Sequence, residues 1–259
     1  MTPSPTVLLG VARRAAAAAG RHVLAQLARR DETDAIARHD IKHALDREAQ
    51  AAATAVIRAA RPGDAILGEE TADAPLPDTP VRWVIDPIDG TVNFAHGLPV
   101  WCCAVAAQAG GRTVAGAVYA PELRLRFEAR SDGPALCNGR TLRVSDTARL
   151  DRALVHTGAD KSDSSRRSYR FLLSIAEAVQ RPRLTGSAAL DICWVAAGQT
   201  DAYFEPGVFL WDIAAAGLIL ERAGGRCEVL REGPGYRVAT LATNGRIHAA
   251  LRARLRPLR

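Results

Sequence analysis

Two aspartates three residues apart, Asp86 and Asp89, lie in the stretch Trp83-Val84-Ile85-Asp86-Pro87-Ile88-Asp89-Gly90-Thr91-Val92-Asn93-Phe94. An apolar run of strand type leads into them. Pro87 fixes its own φ and biases Asp86 toward extended backbone, and the turn that follows lets Asp89 point at the same spot. Gly90 and Thr91 read as the first residues of a helix, whose free N–H groups form an anion site. Carboxylates beside phosphate-binding amides repel unless a divalent cation lies between them, so the pattern predicts a Mg²⁺-dependent phosphate site. Turn and cap roles use the same residue types, and more distant acidic segments decide between the readings. Glu69-Glu70 follows the apolar run Ala65-Ile66-Leu67-Gly68, and Trp211-Asp212 precedes a helical pattern from Ile213 to Ala223. Asp212 can favour the helix dipole there and still offer an oxygen to a metal.

Gly68-Glu69-Glu70, Asp86-Pro87-Ile88-Asp89-Gly90-Thr91 and Trp211-Asp212-Ile213-Ala214-Ala215-Ala216-Gly217 resemble, in order and spacing, the signatures of the inositol monophosphatase family. The resemblance runs from about Asp40 to Gly225. It implies a Mg²⁺-dependent, lithium-sensitive phosphomonoesterase with the layered αβαβα sandwich of the inositol monophosphatase and fructose-1,6-bisphosphatase type, mixed α/β and α+β, and a homodimer. It implies two or three Mg²⁺ per site, the first held by Glu69, Asp86 and the backbone carbonyl of Ile88, the second by Asp86, Asp89 and Asp212. Glu69, Asp46 and Thr91 become the catalytic residues, Asp46 pairing with Thr91 to polarise a water. Gly90 and Thr91 cradle the phosphate, while Asp89, Gly186, Ser187, Ala188 and Glu205 face the substrate.

The segment Asp40-Ile41-Lys42-His43-Ala44-Leu45-Asp46 departs from the family's Asp-x-x-Thr-x-x-Asp stretch. His43 stands for the threonine and Lys42 for an apolar residue. With His39 nearby, the expectation is a mobile, solvated loop in preference to an imidazole metal cluster. The change bears on a third, weakly held metal and not on the first two. Beside Glu205, Phe209 and Leu210 replace a more polar stretch, and Asp191 is left open between a structural and a substrate-facing role. The substrate implied is a small polyol or sugar phosphate, inositol monophosphate foremost. Histidinol phosphate and a sugar or nucleotide phosphate of specialised metabolism are alternatives, and an RNA- or transcription-associated binding protein is the alternative of another class.

Of the 259 residues, 48% are hydrophobic and 24% charged, an ordinary globular balance. No apolar run approaches the ~20 residues that span a bilayer. The alanine-rich start carries Arg13 and Arg14, which reads as an amphipathic helix and not a secretory signal, so a cytoplasmic protein is expected. Cys102, Cys103, Cys137, Cys193 and Cys227 are an odd set without ligand spacing, expected to be reduced thiols, and Cys102 and Cys103 should point to opposite faces of a strand. The net charge of +6 comes almost wholly from arginine, with only Lys42 and Lys161 as lysines. The arginines are scattered apart from Arg166-Arg167 and the tail Arg252, Arg254, Arg256 and Arg259, so a solvated basic surface is expected and not a nucleic-acid partner.

The elements that must position these residues follow from periodicity. A helix is predicted through about residue 30, then a polar segment from Asp31 to Asp46, then a second helix ended by Arg61-Pro62-Gly63. Strands are predicted over Ala65–Gly68, Trp101–Gln108, Thr113–Ala120 and Leu123–Ala129, with further short strands around the turn Asn138-Gly139. Beyond Leu150, strands at Ala153–Thr157, Asp201–Glu205, Cys227–Leu230 and Ala239–Ala242 alternate with helices at Ser168–Gln180, Ala188–Ala197, Ile213–Ala223 and His248–Leu255. The expected division is an α+β half, residues 1–145, carrying most metal ligands, and an α/β half, residues 146–259, contributing Asp212 and substrate contacts.

Overall fold

The computed structural model describes residues 3–36, 41–158 and 166–255. His39, Asp40, Lys161, Arg256 and Arg259 lie outside the described residues, as do the side chains of Lys42, Arg166 and Arg167.

Helix α1 (Pro5–Ala25) starts with Pro5 at its first position and Ser4 as N-cap, the serine hydroxyl accepting from the Val7 N–H. Its buried stripe of Leu8, Val11, Ala12, Ala15, Ala19 and Val23 packs with α2 (Ala44–Ala60) on one face of a seven-stranded sheet. That sheet comprises β3 (Ala65–Gly68), β4 (Val81–Asp89), β5 (Cys102–Ala109), β6 (Arg112–Ala120), β7 (Leu125–Arg130), β8 (Leu136–Cys137) and β9 (Arg140–Thr141), side by side in that order. Only β3 and β4 run parallel; the other neighbours are antiparallel. A short helix, α3 (Thr91–Ala95), leaves the end of β4. The hairpin β1 (Thr33–Ile36) and β2 (Ile41–His43) occupies the polar segment before α2, where no strand was expected.

The later chain forms a five-stranded mixed sheet from β10 (Leu154–Thr157), β11 (Arg181–Arg183), β12 (Ala202–Phe209), β13 (Arg226–Glu232) and β14 (Arg237–Thr243), in the order β11-β10-β12-β14-β13. Helices α5 (Ala188–Ala196) and α6 (Leu210–Arg222) fill the space between the two sheets, while α4 (Arg166–Ala176) and α7 (His248–Arg254) cover the outer face of the second. The result is the layered αβαβα sandwich expected, with seven α-helices among the described residues. One core holds residues of both sheets at once: Val84, Ala104 and Val118 from the first, Tyr203, Val208 and Ala242 from the second, with Leu190, Ala215 and Leu220 from the helices between. Gly116 permits the close approach of α6, since a Cβ there would lie 2.9 Å from the Ala215 carbonyl oxygen. Cys102 faces this core and Cys103 the α1/α2 core, as strand alternation requires, and all five cysteines are free.

Several element ends moved. Helix α6 starts at Leu210, so Asp212 is its third residue, and its Oδ2 accepts from the Phe209 N–H in a capping interaction. Strand β12 continues past Glu205 to Phe209, absorbing Pro206-Gly207 in a register shift against β14. Helix α4 spans Arg166–Ala176, earlier than the Ser168–Gln180 expected, and β11 takes up Arg181–Arg183.

The solvated loop expected around His43 is not what that residue enters. His43 is fully buried. Its Nδ1 accepts from the Leu45 N–H at 3.0 Å, its Nε2 lies 3.0 Å from the Arg30 carbonyl, and its ring meets Phe94 edge-on. An accepting Nδ1 leaves the proton on Nε2, where the Arg30 carbonyl receives it. The imidazole thus caps α2 as a threonine hydroxyl would, and its larger ring fills the space against Phe94. Among the described residues, no helix is long and apolar enough to cross a membrane.

Candidate active site

Residues three apart on a regular strand point to opposite faces. Asp86 and Asp89 escape this because β4 bulges between them. Asp86 pairs with Ala104 and Asp89 with Cys102, so three steps on β4 match two on β5. Ala104 and Cys102 both face the core between the sheets, and the two carboxylates point there with them. Asp212, on the first turn of α6, enters the same space. Carboxylate oxygens of Asp86, Asp89 and Asp212 lie within 4.8 Å of one another, and all three residues are buried.

The three are supported differently. Asp89 receives the Ser187 hydroxyl at 2.6 Å, the Ala188 N–H at 3.1 Å and the Ala189 N–H at 2.7 Å, from the start of α5. Asp212 holds the Phe209 N–H at 2.7 Å. Asp86 has neither kind of help: both its oxygens are buried without a hydrogen-bond donor. Burial, then the charges of Glu69, Asp89 and Asp212, pushes its pKa well above the ordinary carboxylate range. A carboxylate at the centre of other carboxylates, with no donor of its own, has the donor chemistry that a hard divalent cation satisfies. The residues present therefore fit a metal site.

Glu69, at the start of a short 3₁₀ turn after β3, stands outside that cluster of three, yet its charge is the largest electrostatic contribution at Asp86. The turn is pinned by Gln50, whose Oε1 accepts from the Glu70 N–H at 2.9 Å and whose amide packs where a Cβ on Gly68 would sit. The Thr91 hydroxyl donates to the Ile88 carbonyl at 2.9 Å, and Asp46 Oδ2 accepts from the His43 N–H at 3.0 Å. Gly90 adopts φ 98°, and a Cβ there would lie 2.8 Å from the Val100 carbonyl oxygen, so the turn from β4 into α3 needs glycine. Gly186 takes φ 87° beside Asn93. Ser187 and Ala188, expected against the substrate, are both engaged with Asp89.

Four residues that the sequence reading passed over hold this arrangement together. Asn93 Nδ2 donates to the carbonyls of Val100 and Thr185 at 2.8 and 2.7 Å, tying α3 to the turn before α5. His156 Nδ1 and the Thr185 hydroxyl both meet Asp191 Oδ1. Asp191 is thus part of a buried network, and burial raises its pKa against the pull of His156 and Thr185. Tyr203 donates its hydroxyl to Glu205 Oε2 at 3.0 Å. None of these lies in a recognisable motif; only the polar residues interrupting apolar strand and helix patterns hinted at them.

The molecule is a layered αβαβα protein with a buried aspartate triad, two from a strand of the first sheet and one from the helix α6 between the sheets, whose donor set is suited to metal. The model of the inositol monophosphatase family matches residues 4–257, and the chain belongs to that family. It is 37% identical over 219 residues to an inositol-1-monophosphatase of Synechocystis, covering 82% of this chain and 75% of that one. It is likewise 37% identical over 222 residues to the Nus factor SuhB of Pasteurella multocida, covering 84% and 83%. The solved inositol monophosphatase of Anabaena superposes with a TM-score of 0.83 at 32% identity, over 97% of this chain and 96% of that one. The chain is a phosphatase of this family with a buried acidic site suited to metal.

Proposed function

We propose that the chain hydrolyses the phosphate monoester of a small polyol or sugar, inositol monophosphate foremost, with Mg²⁺. The observation that carries this reading is the donor-less Asp86 carboxylate between Asp89 and Asp212. In it, Glu69, Asp86, the Ile88 carbonyl, Asp89 and Asp212 hold two or three divalent cations. Bound there, the cations neutralise phosphoryl charge, stabilise the leaving alkoxide and acidify water.

The chain's own groups do the rest. The Gly90 and Thr91 amides receive phosphate oxygens at the turn into α3. Asp46 and the Thr91 hydroxyl orient the attacking water, Thr91 being fixed by the Ile88 carbonyl and Asp46 by the His43 N–H. Glu205, with the Gly186-Ser187-Ala188 turn, faces the hydroxyls of the leaving group. Burial of Asp46, Asp86, Asp89 and Asp212 lowers the local dielectric, which strengthens the interactions these four make.

Assay of inositol 1-phosphate, histidinol phosphate and sugar phosphates, with Mg²⁺ and with excess chelator, tests the reading. Metal-dependent turnover highest on the polyol ester supports it, and absence of turnover on every ester sinks it. The relatives named Nus factor SuhB favour a second reading, a transcription-associated role beside catalysis. A salt-sensitive RNA shift that persists in Asp86→Asn supports that role.

A further inference from the structure

Strand β12 divides its side chains between two cores. Ala202 and Phe204 enter the one under α4 and α7, while Tyr203 enters the one shared with α5 and α6; Glu205 follows Tyr203 by strand alternation. Tyr203 is 1% exposed, and its hydroxyl donates to Glu205 Oε2 at 3.0 Å. A phenol has one proton to give. Burial, then the negative charges of Glu205, Asp191, Asp212 and Asp89, pushes the phenol pKa well up, so the proton stays on the oxygen and the hydroxyl stays a donor. His156, which meets Asp191, is the register partner of Tyr203 on β10.

The other wall of the slot is bare backbone. Gly158, the first residue after β10, approaches Glu205 so closely that a Cβ there would lie 2.4 Å from Oε2 and 2.6 Å from the carboxylate carbon. Any side chain at this position displaces the carboxylate.

We infer that Tyr203 is a positioning residue which, with the bare Cα of Gly158, fixes the direction of Glu205 and so selects phosphate esters whose leaving group carries a hydroxyl donor. The inference rests on the phosphatase reading given above. A carboxylate oxygen accepts more than one hydrogen bond, so Tyr203 orients Glu205 without consuming its capacity for a ligand hydroxyl. A fixed acceptor spares the ligand the ordering that a swinging glutamate demands. An ester without such a donor, 4-nitrophenyl phosphate for instance, gains nothing from this arrangement.

The test is a double-mutant cycle of Tyr203→Phe and Glu205→Gln, with Gly158→Ala as an independent perturbation of the same slot. Each protein is assayed with Mg²⁺ on inositol 1-phosphate and on 4-nitrophenyl phosphate. Tyr203→Phe should lower the ratio of kcat/KM for the polyol ester over the aryl ester about tenfold, as loss of a hydrogen bond to a charged group implies, and chiefly through KM. Gly158→Ala should move the ratio the same way. In the Glu205→Gln background, Tyr203→Phe should lower it little further, because the group it positions is already altered. A ratio within twofold of wild type for Tyr203→Phe, equal losses on both esters, or additive effects in the cycle overturns the inference while the phosphatase reading stands. A wild-type protein that turns over neither ester overturns both.

Discussion

The Ser187 hydroxyl donates to Asp89 Oδ2 at 2.6 Å across 98 positions of sequence, and the N–H groups of Ala188 and Ala189 join it on the same carboxylate. The acidic motif of the first sheet is thus oriented by the start of a helix that packs between the sheets. Asn93 reinforces the connection by holding the Thr185 carbonyl. The geometry of an acidic cluster drawn from a strand and a distant helix depends on such cross-links.

Replacing Ser187 by alanine removes the shortest of these bonds without adding bulk. Mg²⁺ affinity and kcat/KM should fall about 10- to 100-fold, with the fold intact by circular dichroism. Calorimetric titration and steady-state kinetics check both.

The isosteric change Asp86→Asn should split stability from activity. Asp86 has a raised pKa in the fold, so the folded protein holds that proton more tightly than the unfolded chain does. Its contribution to stability is complete below the ordinary carboxylate range and is lost as pH rises through the raised folded value. Metal-free wild-type protein should therefore lose stability as pH climbs above about 4, and Asp86→Asn should flatten that decline and melt higher at neutral pH. Phosphatase activity of Asp86→Asn, and of Asp89→Asn and Asp212→Asn, should drop about a thousandfold or more. Thermal melts of metal-free protein across pH, set beside the rates, show whether the two move apart.

His43→Ala should cost about 2 kcal/mol or more, because it removes a helix cap and opens a void beside Phe94. His43→Thr should recover part of that by restoring an acceptor for the Leu45 N–H. Urea unfolding of both variants measures the difference, and equal stability of His43→Ala and wild type contradicts the capping role.

On the surface, Glu48 takes Arg29 in a paired contact and His22 at 2.8 Å, and these hydrogen bonds, Arg29's foremost, hold its pKa down to about 2. A depressed carboxylate stabilises the fold above its unfolded pKa, and the contribution is lost as pH falls through about 2. With Glu48 and Arg29 side chains 37% and 31% exposed, solvent screening keeps the effect below about 1 kcal/mol. Glu48→Gln should lower the melting temperature slightly at neutral pH and reduce its fall between about pH 4.5 and pH 2.

Much of this was legible in the chain because the signals are local. The apolar run before Asp86-Pro87-Ile88-Asp89 and the helical pattern after Trp211-Asp212 marked the aspartates that come together, Asp86, Asp89 and Asp212. A bulge within β4 and not the expected turn aligns the first two, and Glu69 stays outside the three. Residues whose roles depend on partners far along the chain were not legible. His156 finds Asp191 thirty-five positions away, and nothing beside either residue announces the other. His43 was misread because a histidine among polar residues suggests solvent, whereas the hairpin before α2 folds it inward against Phe94 and the Arg30 carbonyl. Strand β12 ran past its expected end because a bulge accommodates Pro206-Gly207, a pair that in isolation predicts a stop.

Mg²⁺ titration into metal-free wild-type and Asp86→Asn proteins, followed by calorimetry, tests the central claim most directly. The wild type should bind two or three cations per chain, and Asp86→Asn should lose the tight binding. Equal affinity and stoichiometry in the two proteins would contradict a metal centre built on Asp86.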